Sequence, residues 1–569
     1  MKKILIAVLV LATVVFVFIK AREKSADKQP DAPKFVYCAP NFDTSALNKG
    51  DAPLLEGLGK WDYKVTTSSE RAALFFNQGL ALMYAFNHGE SARSFRTAIR
   101  LDSNFAMAYW GVAMVLGPNY NAALNPTQLS DINYAVDKAV SLASRTKPHE
   151  QALIGALSKR FPREETSELT PYYEAYAAEM EKAHKTFPED AEIATLYADA
   201  LMNIHPWDLW AKDGTPKPWT ENIIRLLETT LNKWPNHPGA IHYYIHATEA
   251  SKDTRKVVPY ADVLSVAMPA AGHMVHMPAH IYIRTGEYHK GLLTTENATV
   301  ADSSYVAQCN VQGVYPLMYY PHNIHFQAAC AFFEGNSKKA MDAAWMVSRK
   351  ADRKFLPENI TVQHFYMIPY YVMVHFGMWD EIMKQRHPGE ELKYPSAVWH
   401  YARGMAFAAQ GNLERAEAES AALEQFAKDE TMRSQLIWDM NSVLDVIQIA
   451  NYTLKGEILG HKKNYEEAIP LFRKAIELED ALVYTEPPDW FFSVRQTLGH
   501  WLVEAGKYQD AEKTYLEDLD MYKENGWSLI GLHRALKAQG RETEAADVKS
   551  RFQKAWQWSD VSLASSRKF

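Results

Sequence analysis

Apolar residues recur every three or four positions from about residue 69 almost to the end of the chain. This is the spacing of amphipathic helices, and hardly any stretch alternates as a β-strand would. Turn signals in which glycine precedes a polar residue separate the helical segments. They include Gly335-Asn336, Gly411-Asn412, Gly506-Lys507 and Gly540-Arg541. The pattern therefore predicts an all-α protein built from many short helices.

The helices also repeat. A set of small and aromatic residues returns at matching positions of successive helix pairs. It comprises Tyr452, Gly456, Leu459, Ala468, Phe472 and Ala475; Leu498, Gly499, Leu502, Ala511 and Tyr515; Phe75, Gly79, Leu82, Phe95 and Ala98; Gly404, Phe407 and Ala416; and Trp527 and Gly531. The small residues let the two helices of a pair approach closely, while the large residues fill the groove between neighbouring pairs.

This arrangement resembles the tetratricopeptide repeat (TPR) family, whose unit is a 34-residue helix pair. The resemblance covers most of the chain and implies a right-handed α-solenoid of about ten such repeats. It indicates regular repeats over 391–557 and irregular ones over 69–390, where segments 117–130 and 204–219 interrupt the rhythm. Insertions of this kind tend to form loops on one face of a solenoid, often the working face.

The N-terminus carries a separate signal. Lys2 and Lys3 precede a sixteen-residue segment that is apolar except for Thr13, and further basic residues follow. Residues 1–20 are predicted to be a signal anchor or a cleaved signal peptide, with the anchor favoured. Either one places the body outside the cytoplasm, in a bacterial cell envelope, and the anchor ties it to the inner membrane. The alternative is a cytoplasmic protein with an apolar first helix.

The polar and less periodic segments complete the predicted organisation. Residues 21–35 are polar and contain proline, which is typical of a linker. Residues 36–68 are expected to form an irregular arm, and 558–569 a tail.

The composition argues against some classes of binding partner and metal site. A net charge of −7 and a pI near 6.3 give no basic footprint for nucleic acid. The three cysteines form no C-x-x-C pattern, which argues against a thiolate zinc site. Cys309 and Cys330 are expected to be free thiols, with a disulfide between them as the alternative.

Histidines crowd into one stretch: nine of the 20 fall between His237 and His325. Many are three or four residues apart, a spacing that places side chains on one helix face. His237 and His289 are interpreted as turn residues. The other seven and one nearby carboxylate form the candidate site: His242, His246, Glu249, His273, His276, His280, His322 and His325.

The repeat pattern predicts where these histidines lie relative to one another. First helices of successive repeats are expected near 238–250, from Pro278 and after Pro321, with His273 and His276 in the loop before the second. Such helices are neighbours that line the concave surface, so their inward side chains converge. Histidine is the commonest transition-metal ligand. The set therefore predicts a metal site for copper, zinc or iron, and its mostly nitrogen donors favour copper or zinc.

Two functions follow. The main interpretation is an exported, membrane-anchored scaffold that binds a protein, peptide or small ligand in its concave groove and carries a histidine-rich metal site. The alternative is a metal-dependent enzyme or metal-binding protein on the same solenoid. Tyr243 stands where H-E-x-x-H would need glutamate, so the zincin general base is missing. A polar groove without metal, and plain packing, remain open for the histidines.

Other candidates carry weaker signals. His88 is predicted near a turn facing the groove, and Asn119 and Asn121 are predicted to line a pocket in the first insertion. Trp207 and Asp208 are expected to anchor the second insertion. Segment 486–490 is expected to be a loop ending in a helix cap at Asp489.

Overall fold

The computed structural model describes residues 50–309 and 315–568, and within them the protein is an all-α solenoid, as predicted. The predicted signal segment 1–20, the linker 21–35 and the first part of the arm lie outside the described residues. Among the described helices, none combines the length and apolarity that crossing a membrane requires. Residues 50–69 run without regular structure across the first helices.

The N-terminal half packs consecutive helices side by side. Short 3₁₀ turns at Pro126–Gln128, Ala143–Arg145 and Arg255–Val257 join some of them. The helices are α1 (Glu70–Tyr84), α2 (His88–Leu101), α3 (Ala106–Leu116), α4 (Leu129–Leu142), α5 (Pro148–Leu157), α6 (Thr170–Thr186), α7 (Ala191–Ile204), α8 (Thr220–Lys233), α9 (Pro238–Thr248), α10 (Val258–Ala267), α11 (Gly272–His276), α12 (Pro278–Thr285) and α13 (Tyr288–Cys309).

The second half begins with a π-helical turn at Tyr315–Tyr319. Its helices are α14 (Tyr320–Glu334), α15 (Ser337–Lys350), α16 (Ile360–His375), α17 (Trp379–Met383), α18 (Lys393–Ala409), α19 (Leu413–Ala427), α20 (Val443–His461), α21 (Tyr465–Ala481), α22 (Val494–Glu504), α23 (Tyr508–Met521), α24 (Gly526–Ala538) and α25 (Glu542–Ala555). After a 3₁₀ turn at Glu430–Met432, strands β1 (Leu436–Ile437) and β2 (Asn441–Ser442) pair antiparallel before α20.

Glycines at the repeat positions allow the close helix packing that the sequence predicts. A methyl group on Gly456 would lie 2.7 Å from the ring of Phe472, the aromatic residue on the second helix of the same pair. Tyr515 fills the space beside Gly499 in its own pair and beside Gly531 in the next one. Each aromatic residue therefore occupies volume that only glycine leaves free.

The solenoid curls back on itself. The indole of Trp527 on α24 donates a hydrogen bond to the carbonyl of Phe332 on α14, at 3.3 Å. Trp556, after α25, packs against Gly335 at the end of α14. Two buried clusters, one centred on each half, meet around α12 to α14. The histidine-bearing helices α9, α11, α12 and α14 lie at this junction.

Two local predictions are wrong and a third is confirmed. His273 and His276 were expected in a loop, but they lie on the short helix α11, because the N–H groups of Val275 and Met277 bond back to residues 271 and 273. Asp489 does not cap a helix: its carboxylate accepts from Asn441, and Ser493 caps α22 instead. Cys309 and Cys330 are free thiols, the favoured alternative.

Candidate metal centre

Seven of the eight predicted residues converge at the junction of the two halves. His242 and His246 are one turn apart on α9, and Glu249 follows at its end. His273 and His276 come from α11, His280 from α12 and His322 from α14. Except for His322, which is partly exposed, these side chains are buried.

The first group is a triad of His242, His246 and His273. Each ring offers a nitrogen, and the three nitrogens lie within 4.8 Å of one another. The Nε2 atoms of His242 and His273 are 3.1 Å apart. Nitrogens bound to one tetrahedral ion at 2.0–2.1 Å are about 3.3–3.4 Å apart, so this spacing is close to that of a metal site.

The second group is a triad of His276, His280 and His322, with the same 4.8 Å limit on the nitrogen separations. The Nε2 atoms of His276 and His280 are 2.9 Å apart. The rings of His246 and His280 have centroids 6.2 Å apart, and those of His273 and His276 6.0 Å. The two triads are therefore neighbours that share one interior.

Acceptors at the opposite side of the rings fix their orientation. The backbone carbonyl of Tyr84 accepts from Nδ1 of His242 at 2.6 Å. Glu249 contacts Nδ1 of His246 at 2.9 Å and Nδ1 of His280 at 2.5 Å, one carboxylate oxygen for each ring. When Nδ1 carries the proton, Nε2 keeps its lone pair for a metal ion, and this is the usual outer arrangement of metal-bound histidine. Glu249 therefore supports one ring of each triad.

Glu486 was missed by the sequence analysis. Its carboxylate lies 3.3 Å from Nδ1 of His280, and Glu249, His280 and Glu486 form a third group of close donor atoms. Glu486 belongs to a loop between α21 and α22, more than two hundred residues after α12. The surrounding E-P-P-D-W sequence indicates a loop, and no local signal shows that it returns to the histidines.

Burial and charge leave most of these imidazoles neutral. Burial lowers the pKa of His242, His273 and His276 well below the ordinary value, with help from neighbouring histidines. The same causes lower the pKa of His322 to about 3. A neutral imidazole has the lone pair that a metal ion needs.

The acidic side of the cluster holds one positive charge. Burial works against a charged His280, but Glu249 and Glu486 outweigh it and raise its pKa to about 9. Burial would raise the pKa of Glu249, yet the facing charges of His280 and His246 lower it to about 2. The two carboxylates therefore favour a positive charge at this position, carried either by the proton on His280 or by a metal ion that displaces this proton.

Three aromatic residues with left-handed backbone surround the histidines. Phe86 (φ 55°) has its ring centroid 4.6 Å from that of His242. Trp207 (φ 58°) contacts His246, and Trp438 (φ 54°) contacts His322. Bulky residues rarely adopt this conformation, and such strain tends to collect at functional sites.

A small cavity of about 60 Å³ lies beside the triads. His246, His273, His280 and His322 line it together with aromatic residues. A larger cleft of about 580 Å³ reaches His246 and Glu249 between the insertion at 204–219 and the loop that carries Glu486. His246 therefore borders both the inner cavity and the outer cleft.

His325 is placed apart from the other predicted residues. Its ring stacks on Phe491 and lies beside His364, and both of its nitrogens lack a hydrogen-bond partner. His325 belongs to none of the three donor groups found among the described residues.

Some of the weaker candidates line the two cavities, and others do not reach them. His88 bonds to Asn119 rather than to the cluster. Asn121 and Trp207 line the inner cavity, and Asp208 lines the outer cleft. The nearby methionines belong to the buried core of the first half: Met268, Met274 and Met277.

Comparison with known families supports a repeat in the regular part of the chain. The tetratricopeptide repeat family matches residues 449–481. Human IFIT1, solved as a dimer with m7Gppp-AAAA, is 15% identical, with 86% of this chain and 91% of that chain covered and a TM-score of 0.30. Yeast Tom70 is 13% identical, with 86% and 93% covered and a TM-score of 0.27. The TPR domain of P58(IPK) is 10% identical, with 83% and 99% covered and a TM-score of 0.21. No curated protein matches.

Proposed function

Because the chain folds as an α-solenoid in which residues 449–481 match the tetratricopeptide repeat family, we propose that this solenoid is a scaffold for a transition-metal site, with one ion at each histidine triad. The observation that carries this proposal is the pair of adjacent triads, each with three donor nitrogens within 4.8 Å, supported by one carboxylate between them. A repeat scaffold needs no such cluster for packing, because burying imidazoles without partners costs free energy.

The chemistry of the donors favours copper or zinc, with iron as a further candidate. His242, His246 and His273 would hold one ion, and His276, His280 and His322 the other. Several ring nitrogens in these triads have no protein partner, namely Nε2 of His246 and Nδ1 of His273 and His276. Three protein ligands leave the fourth position of a tetrahedral ion open, and an ion bound in this way can activate water or polarise a ligand.

A second candidate function, a metal-dependent enzyme, is favoured by the cavity. A purely structural metal site is closed by four protein ligands. Here four of the histidines line a cavity that also borders Trp207, Tyr319 and Trp438. A small substrate in this space would meet both triads. The residues present do not identify the reaction.

Metal analysis of the purified protein tests the proposal. We expect up to two equivalents of a single transition metal per chain. The variant His242→Ala/His246→Ala removes two donors of the first triad and should lose at least half of the bound metal. Glu249→Gln keeps all six histidines but weakens the contacts that orient His246 and His280. Metal affinity should therefore fall by about 10- to 100-fold.

His289→Gln serves as the matched control, because His289 pairs with Glu334 and lies outside the triads. It should retain the wild-type metal content. Absence of bound metal in the wild type after reconstitution with copper, zinc and ferrous iron would refute the proposal, as would unchanged metal binding in the double variant.

The remaining parts of the proposal concern partners and location. The curved repeat surface is of the kind that binds other proteins or peptides, and we propose such a partner for this chain. We also propose that the apolar N-terminal segment anchors it in the envelope of a bacterial cell. Tagging at either end, followed by cell fractionation with a carbonate wash, would test the anchor.

A further inference from the structure

The segment after α25 returns into the interior of the second half. Asp560 accepts hydrogen bonds from the N–H groups of Ser337 and Lys338, at 2.7 and 3.0 Å, and so caps α15. The chain then continues inward without regular structure, and Ser565 and Ser566 are buried. Lys568 reaches Gly377, just beyond α16.

The contacts of this segment are those of a bound peptide. Ser566 donates to the carbonyl of Gln496 on α22 at 2.8 Å, and its hydroxyl is also 2.8 Å from that of Tyr515. The guanidinium of Arg567 pairs with the carboxylate of Glu457 on α20, and both side chains are almost fully buried. The innermost residues are therefore held by polar groups from successive repeats and not by apolar packing.

The surrounding interior offers more hydrogen-bonding groups than the segment uses. Buried atoms without a hydrogen-bond partner include the hydroxyl of Tyr401 and Nε2 of His375. The charge of Arg567 acts on both Tyr401 and His375, which places them around the same end of the segment. Unpaired buried polar groups are costly in a finished core, whereas a ligand-binding site keeps them for its ligand.

We propose that this interior is a peptide-binding site, and that residues 562–568 occupy it as a tethered ligand which an external protein segment can replace. The external segment would be extended and would carry serine followed by arginine. Glu457 recognises the guanidinium, while Tyr515 and the Gln496 carbonyl recognise the serine hydroxyl. This site is separate from the histidine triads and does not depend on metal.

A direct binding experiment tests the proposal. A variant lacking residues 562–569 retains Ser559, Asp560 and Val561, which make the closing contacts with Gly335, α15 and Trp556. A fluorescent peptide with the sequence of residues 562–569 should bind this variant and raise its polarisation. The full chain should bind the peptide at least about 100-fold more weakly, because a tethered competitor acts at millimolar effective concentration.

Matched variants locate the binding. In the shortened protein, Glu457→Gln should weaken the peptide at least tenfold, whereas Glu466→Gln, on an exposed acid of the same array, should change it less than twofold. A peptide with alanine in place of Arg567 should lose at least tenfold. A shortened protein that melts cooperatively but binds no peptide would overturn the proposal, as would equal binding by the Glu457→Gln variant.

A measurement on the full chain keeps the test decisive if the shortened protein does not fold. Arg567→Ala weakens only the tethered competitor, so the full-length variant should bind the wild-type peptide at least tenfold more tightly than the unmodified chain does. Equal binding by the two would contradict an exchangeable segment.

Discussion

The paired helices of the regular repeats, α18 to α25, and the interior of the histidine region, α9 to α14, are packed in different ways. In the regular repeats, glycine meets an aromatic ring, and the contacts follow the repeat, as Gly456 and Phe472 show. In the histidine region, imidazoles and carboxylates fill the interior and several nitrogens have no partner. The glycine–aromatic contacts between paired helices are built for stability. The interior of the histidine region accepts an energetic cost, which indicates a function.

The largest expected difference is in the response of the metal-free protein to pH. Burial lowers the pKa of the histidines in the two triads, apart from that of His280. The unfolded chain binds protons below about pH 6.5, while the folded chain excludes them, so stability falls as the pH drops from 6.5 towards 3. The slope is about 1.4 kcal/mol per pH unit for each such histidine.

His280 behaves in the opposite way. Its pKa is raised to about 9. The stability that it contributes is therefore complete below pH 6.5 and is lost as the pH rises towards 9. Urea unfolding of metal-free protein between pH 4 and 9 should therefore show maximal stability near pH 6.5–7, with the steeper loss on the acid side. His276→Asn should reduce the acid slope. A flat profile from pH 4 to 7 would contradict the buried neutral imidazoles.

The next prediction concerns the regular repeats. Gly531 faces Tyr515 so closely that a β-carbon would lie 2.1 Å from the phenol ring. Gly531→Val should lower the free energy of unfolding by about 3 kcal/mol, because the ring cannot retreat from the packed groove. Denaturant unfolding measures this change, and metal content per folded chain should not change.

Gly155 on α5 provides the matched control, since nothing lies within 4 Å of a β-carbon placed there. Gly155→Ala should stabilise the protein by about 0.5–1 kcal/mol through helix propensity alone. Equal effects of the two substitutions would mean that close packing does not hold the repeats together.

The contrast also explains what could be predicted from sequence. The repeat residues are separated by fixed short intervals, so the helices and their pairing could be inferred from spacing alone. Six of the histidines and Glu249 converge because neighbouring repeats place them on adjacent helices. Glu486 could not be predicted, because a loop brings it back from a distant repeat. The curling of α24 onto α14 depends on small rotations accumulated over many repeats, which no local pattern records.

The smallest expected effect is that of a substitution at His325, which lies beside the histidine triads but outside them. It satisfies the same spacing rule as His322, three residues before it on α14, yet its side chain packs on Phe491 beside His364. His325→Phe keeps an aromatic ring in this position and removes two buried nitrogens that lack partners. The free energy of unfolding should therefore rise by about 1 kcal/mol, while the metal content stays at the wild-type value. His322→Phe, the matched substitution within the second triad, should lower the metal content. Loss of metal in the His325→Phe variant as well would mean that His325 is a ligand. Helix α14 would then have to present both of its faces to the site, which its packing in this structure does not permit.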